Sequence, residues 1–490
     1  MTSTVDQSAF TPTESLGNTG RKRATRQSTS SRITLAVVCI ATAMLMLDIA
    51  VVNTALTSIA LDLHTDLPGV QWAVDAYTLP LAALVLTAGS LADRLGRRRI
   101  LLAGLAVFSL GSLGCSAAGS AGLLVATRAV QGIGAAALFA VPLALLGHAF
   151  PDRNGRTAAL AAFGATIGAS FAIGPLVGGL LTEHAGWRWI FLINVPIGVL
   201  VAAVALRWVE ESQDPHPRRI DWPGQTVLTA ALLALITGLL RGDADGWTSA
   251  LVLLCLGGGV SCLIAFLAIE HGSSHPMLPL PMFANRVFAT TQVAAFAISS
   301  SLFAVLLYVS LYAQGVLGLS PVQTGAIYLP GTLLMIVVAA STSKLVGRVR
   351  PTVALAVSLL GVAAGLALLT LADEHSSWVA TMPGIVLACG ATGVFNPVMS
   401  GLVLQESAAT QAGLATGIND TFRQTGVALG IATLGSFIPT ASAFGGDPAG
   451  YVTGLHHALW AACAVAVVGA AVVGRSTPRR ARVRAPGADR

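Results

Sequence analysis

Charge is what this 490-residue chain has least of: Asp, Glu, Lys and Arg make up 10% of it, against roughly a quarter in soluble globular proteins. So little charge cannot cover a water-facing surface, and a soluble globule is excluded. Aromatic residues are also scarce, at 6%. The six cysteines, Cys39, Cys115, Cys255, Cys262, Cys389 and Cys463, all fall inside apolar runs. They show no CxxC spacing and have no His nearby, so neither a metal site nor a disulfide framework is indicated. They read as small buried hydrophobes. No GxxxxGK[ST] loop is present, which argues against ATP hydrolysis, and no other enzyme motif stands out. The expectation is a protein that is not an enzyme, with no cofactor and no metal. His456 and His457 have no further ligands nearby and read as a helix-start pair. A cleavable signal is lacking as well: a polar tail of about thirty residues precedes the first apolar run, which fits an uncleaved first helix.

What the chain has is apolar length. It is 54% hydrophobic and holds 52 glycines, with a mean hydropathy of +0.76. Small residues let helix backbones approach where lipid supplies no hydrophobic drive between helices. The net charge of +6 is scattered over short segments, so the expected partner is a lipid bilayer and not nucleic acid. Arg outnumbers Lys 26 to 2, which points to a GC-rich bacterial genome. A spanning helix needs about 20 mostly apolar residues. Fourteen such runs are present: 34–54, 71–91, 99–118, 121–147, 155–182, 189–208, 222–241, 248–269, 289–313, 322–345, 352–371, 378–402, 413–437 and 454–474. Backbone polar groups in lipid must be satisfied within the segment, so these are helices. With both termini inside, the inner segments hold 24 of the 28 Lys and Arg, and the outer loops hold only Arg188 and Arg241. That bias places both termini in the cytoplasm. The tails 1–33 and 475–490 read as disordered positive anchors.

The most informative segment runs from Gly89 to Arg99. It is a short turn carrying Asp93, Arg94, Arg97, Arg98 and Arg99 between two apolar runs, with glycines at Gly89 and Gly96. The pattern G-x-L-A-D-R-x-G-R-R resembles the loop between helices two and three of the major facilitator superfamily of secondary transporters. That resemblance implies two six-helix bundles, each of inverted three-helix repeats. Fourteen helices then mean two more, placed between the bundles. The implied division is an all-α membrane fold with bundles at 34–208 and 289–474 and a linker with the inserted pair at 209–288. Residues 222–269 carry the pair and little charge, which suits a lipid-facing position. Lys344-Leu345-Val346-Gly347-Arg348-Val349-Arg350 echoes the arginine turn in the second half. Asp93 is expected to cap and counter-charge helix ends, and the arginines to bridge to the other half in one state of the transport cycle.

A glycine stripe, Gly164, Gly168, Gly174, Gly178 and Gly179, surrounds Pro175 in the fifth run. The stripe removes side-chain bulk so that a neighbouring helix packs tightly, and Gly174-Pro175 permits a kink. It resembles the G-P-x-x-G-G antiporter motif of drug-exporting members, which symporters generally lack. Trp187-Arg188-Trp189-Ile190-Phe191-Leu192-Ile193-Asn194-Val195-Pro196-Ile197-Gly198 resembles the start of helix six in the fourteen-helix drug:proton antiporters.

Charges inside a span are costly unless paired or hydrated, so each is a functional candidate. Asp48, Asp75, Arg128, Asp420 and Arg423 qualify. Asp48 resembles the helix-one acid that such antiporters use for protons or cationic drugs, although Ala50 and Thr57 stand where the family string has Thr and Pro. Two readings of Asp48 stand: the prime proton acceptor, or an acid permanently paired with Arg128. Arg128 resembles the family's helix-four proton-relay arginine. Asp75 is either in a vestibule or interfacial. Asp420 and Arg423 are i,i+3 neighbours, a structural pair or part of a substrate site. Glu270 and Glu406 lie near helix ends, where solvation accounts for them. The resemblance implies proton-coupled efflux of amphipathic drugs or antibiotics across a bacterial cytoplasmic membrane, by a monomer driven by the proton gradient. Rival readings are a dedicated exporter of one self-made antibiotic, a nutrient symporter, and a channel or receptor. The last lacks the rings of charge or carbonyls that pores use.

Overall fold

The computed structural model describes residues 14–214, 220–346, 349–407, 411–444 and 446–476. Every long apolar run is a helix, and among the described residues there are no strands. The first six are α1 (Glu14–Asp62), α2 (Leu67–Leu95), α3 (Arg97–Ser116), α4 (Ala121–Ala149), α5 (Arg153–His184) and α6 (Arg188–Trp208). An inserted pair follows, α7 (Trp222–Asp245) and α8 (Ala250–Gly272). The last six are α9 (Arg286–Gly315), α10 (Pro321–Val346), α11 (Pro351–Leu369), α12 (Met382–Gln405), α13 (Ala412–Gly435) and α14 (Pro448–Gly474). Among the described residues, thirteen helices are long and apolar enough to cross a membrane. In α13, the polar run Asn419, Asp420, Arg423 and Gln424 lowers the hydropathy, and neighbouring helices cover what lipid would not accept.

Local chemistry sets where the helices begin. Asp66, Ser120, Asp152, Asp221, Ser249, Asn285 and Asp447 each accept a hydrogen bond from a first-turn backbone N–H of the helix that follows. Such caps satisfy donors that a helix start leaves orphaned. At the other end of the chain order, α1 continues back to Glu14 and so runs through most of the 1–33 segment read as disordered. No proline interrupts 14–62, so nothing in the sequence stops the helix at the membrane edge.

Within the first half, α2 and α3 pack on α4, α1 on α5, and α3 on α6. Within the second, α10 and α11 pack on α12, α14 on α11, and α9 on α13. Two seams join the halves, and they are symmetric: the second helix of each half meets the fifth of the other, α2 with α13 and α5 with α10. The α7–α8 pair sits outside the α2–α13 seam. Leu228, Leu232, Ile236 and Leu240, spaced by four, form the stripe on α7 that buries against Leu79 and Ala82 of α2 and Ala428 and Ala432 of α13. The expectation of two lipid-facing helices therefore holds for the mostly exposed α8 and not for α7.

Candidate functional site

The arginine turn is compact because Gly96 permits it. Its φ of +115° is a conformation that side chains rarely adopt, and a methyl there would lie 2.7 Å from the Glu211 carboxylate. Asp93 pairs with Arg97 at 2.9 Å. Glu211 accepts a hydrogen bond from the Arg98 amide at 2.9 Å and lies near the Arg98 and Arg99 guanidiniums. The Arg97 amide donates to Ser212 O, and the Asp214 amide donates to Asp93 O. Arg94 is exposed, and Gly89 packs loosely against Ala140. The expected bridge to the other half is not formed among the described residues. The turn is instead strapped to the segment after α6, where Glu211 holds it. The echo in the second half lies partly outside the described residues, at Gly347 and Arg348.

At the centre of the first half, Asp48 and Arg128 are each about 1% exposed and form an ion pair at 2.8 Å. Asp48 also accepts hydrogen bonds from Gln131 Nε2 and Asn194 Nδ2, both at 2.8 Å. Arg128 donates to Ala73 O at 2.9 Å and to Gln131 Oε1 at 2.7 Å, and its guanidinium stacks 4.2 Å from the centre of the Tyr77 ring. Gln131 donates onward to Ser112 Oγ at 2.8 Å. One network therefore ties together α1, α2, α3, α4 and α6. Both Asp48 oxygens are occupied, so this acid is sealed in a pair in this conformation and not open to a drug. Gln131, Asn194 and Ser112 carry no charge, and a search for intramembrane charge passes over them. The signal was their amide and hydroxyl groups inside apolar runs.

Asp75 is different. It is fully buried, Thr78 Oγ1 donates weakly to its Oδ1 at 3.4 Å, and its Oδ2 has no partner. It lies one helical turn from Gln71, whose amide donates to Tyr308 Oη of the second half at 2.8 Å. Asp75 is thus not interfacial with solvent; it faces the region where the halves meet. Asp420 and Arg423 form a loose pair at 3.9 Å along α13. Beside them, Asn419 donates to Gln292 of α9 at 2.9 Å. In α9 the turn Ser299–Phe303 is a π-helix; Gly430 of α13 presses against its backbone at Ser300, and Gly426 against Phe296 and the Ser299 side chain. Such bulges mark functional sites frequently; the sequence signal here was only a run of three serines.

The glycine stripe divides into two parts. A side chain at Gly174 or Gly178 would strike Ala50, Val51 or Thr54 of α1, and one at Gly179 would strike Pro321 of α10. Gly325 of α10 returns the contact against Pro175 O. Nearby, Glu183 accepts from the Val322 amide at 3.0 Å and Gln314 donates to Thr54 O at 2.9 Å. The halves are closed at this end. Toward the arginine-turn end, Gly164 and Gly168 have nothing within 4 Å, and α5 is largely exposed. Among the described residues the last hydrogen bond between α5 and α10 toward that end is Thr332 Oγ1 to Ala172 O at 3.1 Å, so the two helices are held together at the far end and not at Gly164 and Gly168. Two outlying readings also change. His456 is not at a helix start: it lies inside α14 and its ring meets Ala372 O at 2.8 Å. Glu406 accepts from Asn285 at 2.8 Å instead of facing only solvent.

Residues 38–431 match the model of the Major Facilitator Superfamily. The chain is 33% identical over 396 residues to the multidrug resistance protein Stp of Mycobacterium tuberculosis, spanning 81% of this chain and 73% of that one. It is 34% identical over 443 residues to the puromycin resistance protein pur8 of Streptomyces alboniger, spanning 88% of each. A solved peptide transporter, POT in complex with sulfate, superposes with a TM-score of 0.66 at 15% identity, over 90% of this chain and 94% of that one.

Proposed function

The chain belongs to the Major Facilitator Superfamily, a multi-pass membrane transporter and not an enzyme, and from that premise we propose that it exports amphipathic drugs or antibiotics in exchange for protons. The observation that carries this reading is that the α5–α10 seam is packed at one end only, which we read as a cleft open on the arginine side. The α5–α10 seam is sealed by Gly179 and Gly325 at one end, and nothing lies within 4 Å of a side chain added at Gly164 or Gly168 toward the other. Rocking the halves about the sealed end would close the glycines that are now open and release those that are now packed. The arginine-rich end is the cytoplasmic one by charge bias, which makes this conformation open to the cytoplasm, with both termini on that side and no cofactor beyond the proton gradient. The drug and antibiotic resistance named for the relatives supports the substrate class.

Asp75, and not Asp48, is the proton carrier in this proposal. Asp48 already holds Arg128, Gln131 and Asn194. Asp75 has a free oxygen and no cation within ion-pair distance among the described residues. A lone buried charge is costly, so in this proposal the acid carries its proton while α2 and α13 are packed together. Ionisation would favour a conformation that hydrates it, and this ties proton release to the rocking of the halves. Asp420 and Arg423, on the helix facing α2, complete the polar surface offered to a substrate. The test uses purified protein in vesicles, with a fluorescent lipophilic cation as substrate and a proton uncoupler as control. Asp75→Asn should bind the dye but neither export it nor release protons on binding. Wild-type, uncoupler-sensitive export by Asp75→Asn would overturn the assignment.

A further inference from the structure

Glu270 and Asp221 form a buried acid pair that the transport reading does not use. Asp221 caps α7 through Oδ1, which accepts from the Gly224 amide at 2.9 Å. Glu270, in the last turn of α8, accepts through Oε2 from the Leu278 amide at 3.0 Å. Asp221 is 8% exposed and Glu270 only 3%, so solvation does not account for either. Each keeps one oxygen, Asp221 Oδ2 and Glu270 Oε1, with no hydrogen-bond partner. Those two oxygens converge: a methyl at Gly224 would lie 2.9 Å from Glu270 Oε1 and 3.0 Å from Asp221 Oδ2.

Two carboxylates this close and this buried cannot both ionise unsupported, because like charges in a low dielectric repel strongly. A proton between them turns two orphaned acceptors into one charge-assisted hydrogen bond. A metal ion is a poorer fit, since no group of three His, Cys, Asp or Glu side chains gathers among the described residues. We propose that Asp221 and Glu270 share a single exchangeable proton, making the base of the α7–α8 hairpin a proton-binding site distinct from Asp48 and Asp75. A cavity of about 280 Å³ beside Asp221, walled by Thr87, Ser90, His275, Met277 and Leu414, gives the proton a path. The site also touches the moving parts. Thr87 of α2 donates to Gln225, one residue beyond Gly224, and Leu414 belongs to α13. The protonated pair therefore ties the two ends of the hairpin together beside the Thr87–Gln225 contact with α2, and loss of the proton sets two like charges against each other there.

The other titratable groups on the surrounding elements are few. His271 and His275 are exposed. On α2, Asp93 is paired with Arg97 and Arg94 is exposed. On α13 the first charge is Asp420, which faces Arg423, and α9 begins at Arg286. Arg218 and Arg219 precede Asp221 in the chain and lie outside the described residues.

The experiment is a pH series on the full chain in detergent, reading melting temperature and the infrared band of protonated carboxyl groups. Glu270→Gln and Asp221→Asn keep shape, and Asn caps a helix as Asp does. In the wild type the pair keeps one proton that the unfolded form gives up, so its share of stability falls with rising pH, by roughly tenfold in the folded-to-unfolded ratio per pH unit through the pair's titration and in addition to any share from Asp75. Either variant should remove the pair's share of that slope and a protonated-carboxyl band that Asp75→Asn leaves in place. An unchanged slope and band in both variants would overturn the proposal. A lower melting temperature for Glu270→Gln at every pH would overturn it too, because it would show a fully ionised pair held by a cation such as Arg218 or Arg219.

Discussion

The first half of the molecule carries charge into its centre, where Asp48, Arg128, Gln131 and Asn194 tie five helices together. The second half repeats the helix packing mainly with neutral groups, its Asp420–Arg423 pair being loose at 3.9 Å and confined to α13. Tyr308 donates to Ile431 O, Tyr328 bonds Leu306 O and Ser310, and Tyr451 donates to Tyr308 O at 2.8 Å. Four of the five tyrosines are in this half, and the fifth, Tyr77, stacks on Arg128. A phenol bound to a backbone carbonyl contributes a modest amount and does not titrate in the working range. An ion pair in the same setting is conditional, since each partner is tolerable only while the other is present. The comparison makes the first half the responsive one and the second half its rigid counterpart, with α2 and Asp75 between them.

The hardest blow to that comparison would come from Arg128→Gln. It strands the Asp48 carboxylate in a buried site, and breaking such pairs costs about 3–5 kcal/mol. Melting of the purified variant should fall accordingly, and adding Asp48→Asn should restore most of the loss, because the pair is then neutral. A variant melting like the wild type would show the network to be dispensable.

Next in size is the seam. Gly179→Leu puts a side chain into the Pro321 backbone, while Gly168→Leu meets open space in this conformation. The first should lower the melting temperature, overpacking costing about 1–3 kcal/mol. The second should melt normally yet abolish export, because its glycine is needed only when the cleft closes. Vesicle transport and melting measured on both variants separate the two; normal export by Gly168→Leu would mean that the halves never close there.

Tyr308→Phe probes the neutral half. It leaves Gln71 without its acceptor and Ile431 O without its donor, at a cost of about 1–3 kcal/mol. That loss should be the same at pH 5.5 and 8, a range over which Asp75 is expected to change the behaviour of the wild-type transport cycle. A strongly pH-dependent effect of Tyr308→Phe would break the division between responsive and rigid halves.

Much of this was legible before any coordinates. The fourteen runs became fourteen helices, because length and apolarity suffice when every backbone group must bond within its own segment. The Asp48–Arg128 pairing was one of two open readings, and charge alone raised it. What stayed hidden was neutral or distant in sequence. Gln131 and Asn194 needed the fold to bring α4 and α6 onto α1. The burial of Glu270 depended on the 273–285 segment folding back so that Leu278 reaches it. Nothing in the sequence singled out Glu211, and only its position over Gly96 gives it a task.

The smallest stability effect is expected where the sequence signal was strongest. Asp93 and Arg97 are partly exposed, at 36% and 18%, so their pairing at 2.9 Å is screened by solvent. Exposed pairs contribute at most about 1 kcal/mol, and Asp93→Asn should hardly move the melting temperature. Its effect on export should be large all the same. In this conformation the turn is strapped to Glu211, Ser212 and Asp214, and none of those bonds reaches the second half. If the turn serves the opposite conformation, then Asp93→Asn and Glu211→Gln should shift the balance between states in different ways: the first weakens the turn itself, the second frees its arginines from the linker. Spin labels or fluorophores across the α5–α10 cleft would report the populations directly. Asp93→Asn should lose transport while drug binding is largely kept, and Glu211→Gln should populate the closed cleft more than the wild type does. Loss of drug binding in folded Asp93→Asn would place the turn within the substrate site, and unchanged cleft populations in both variants would leave it a passive anchor.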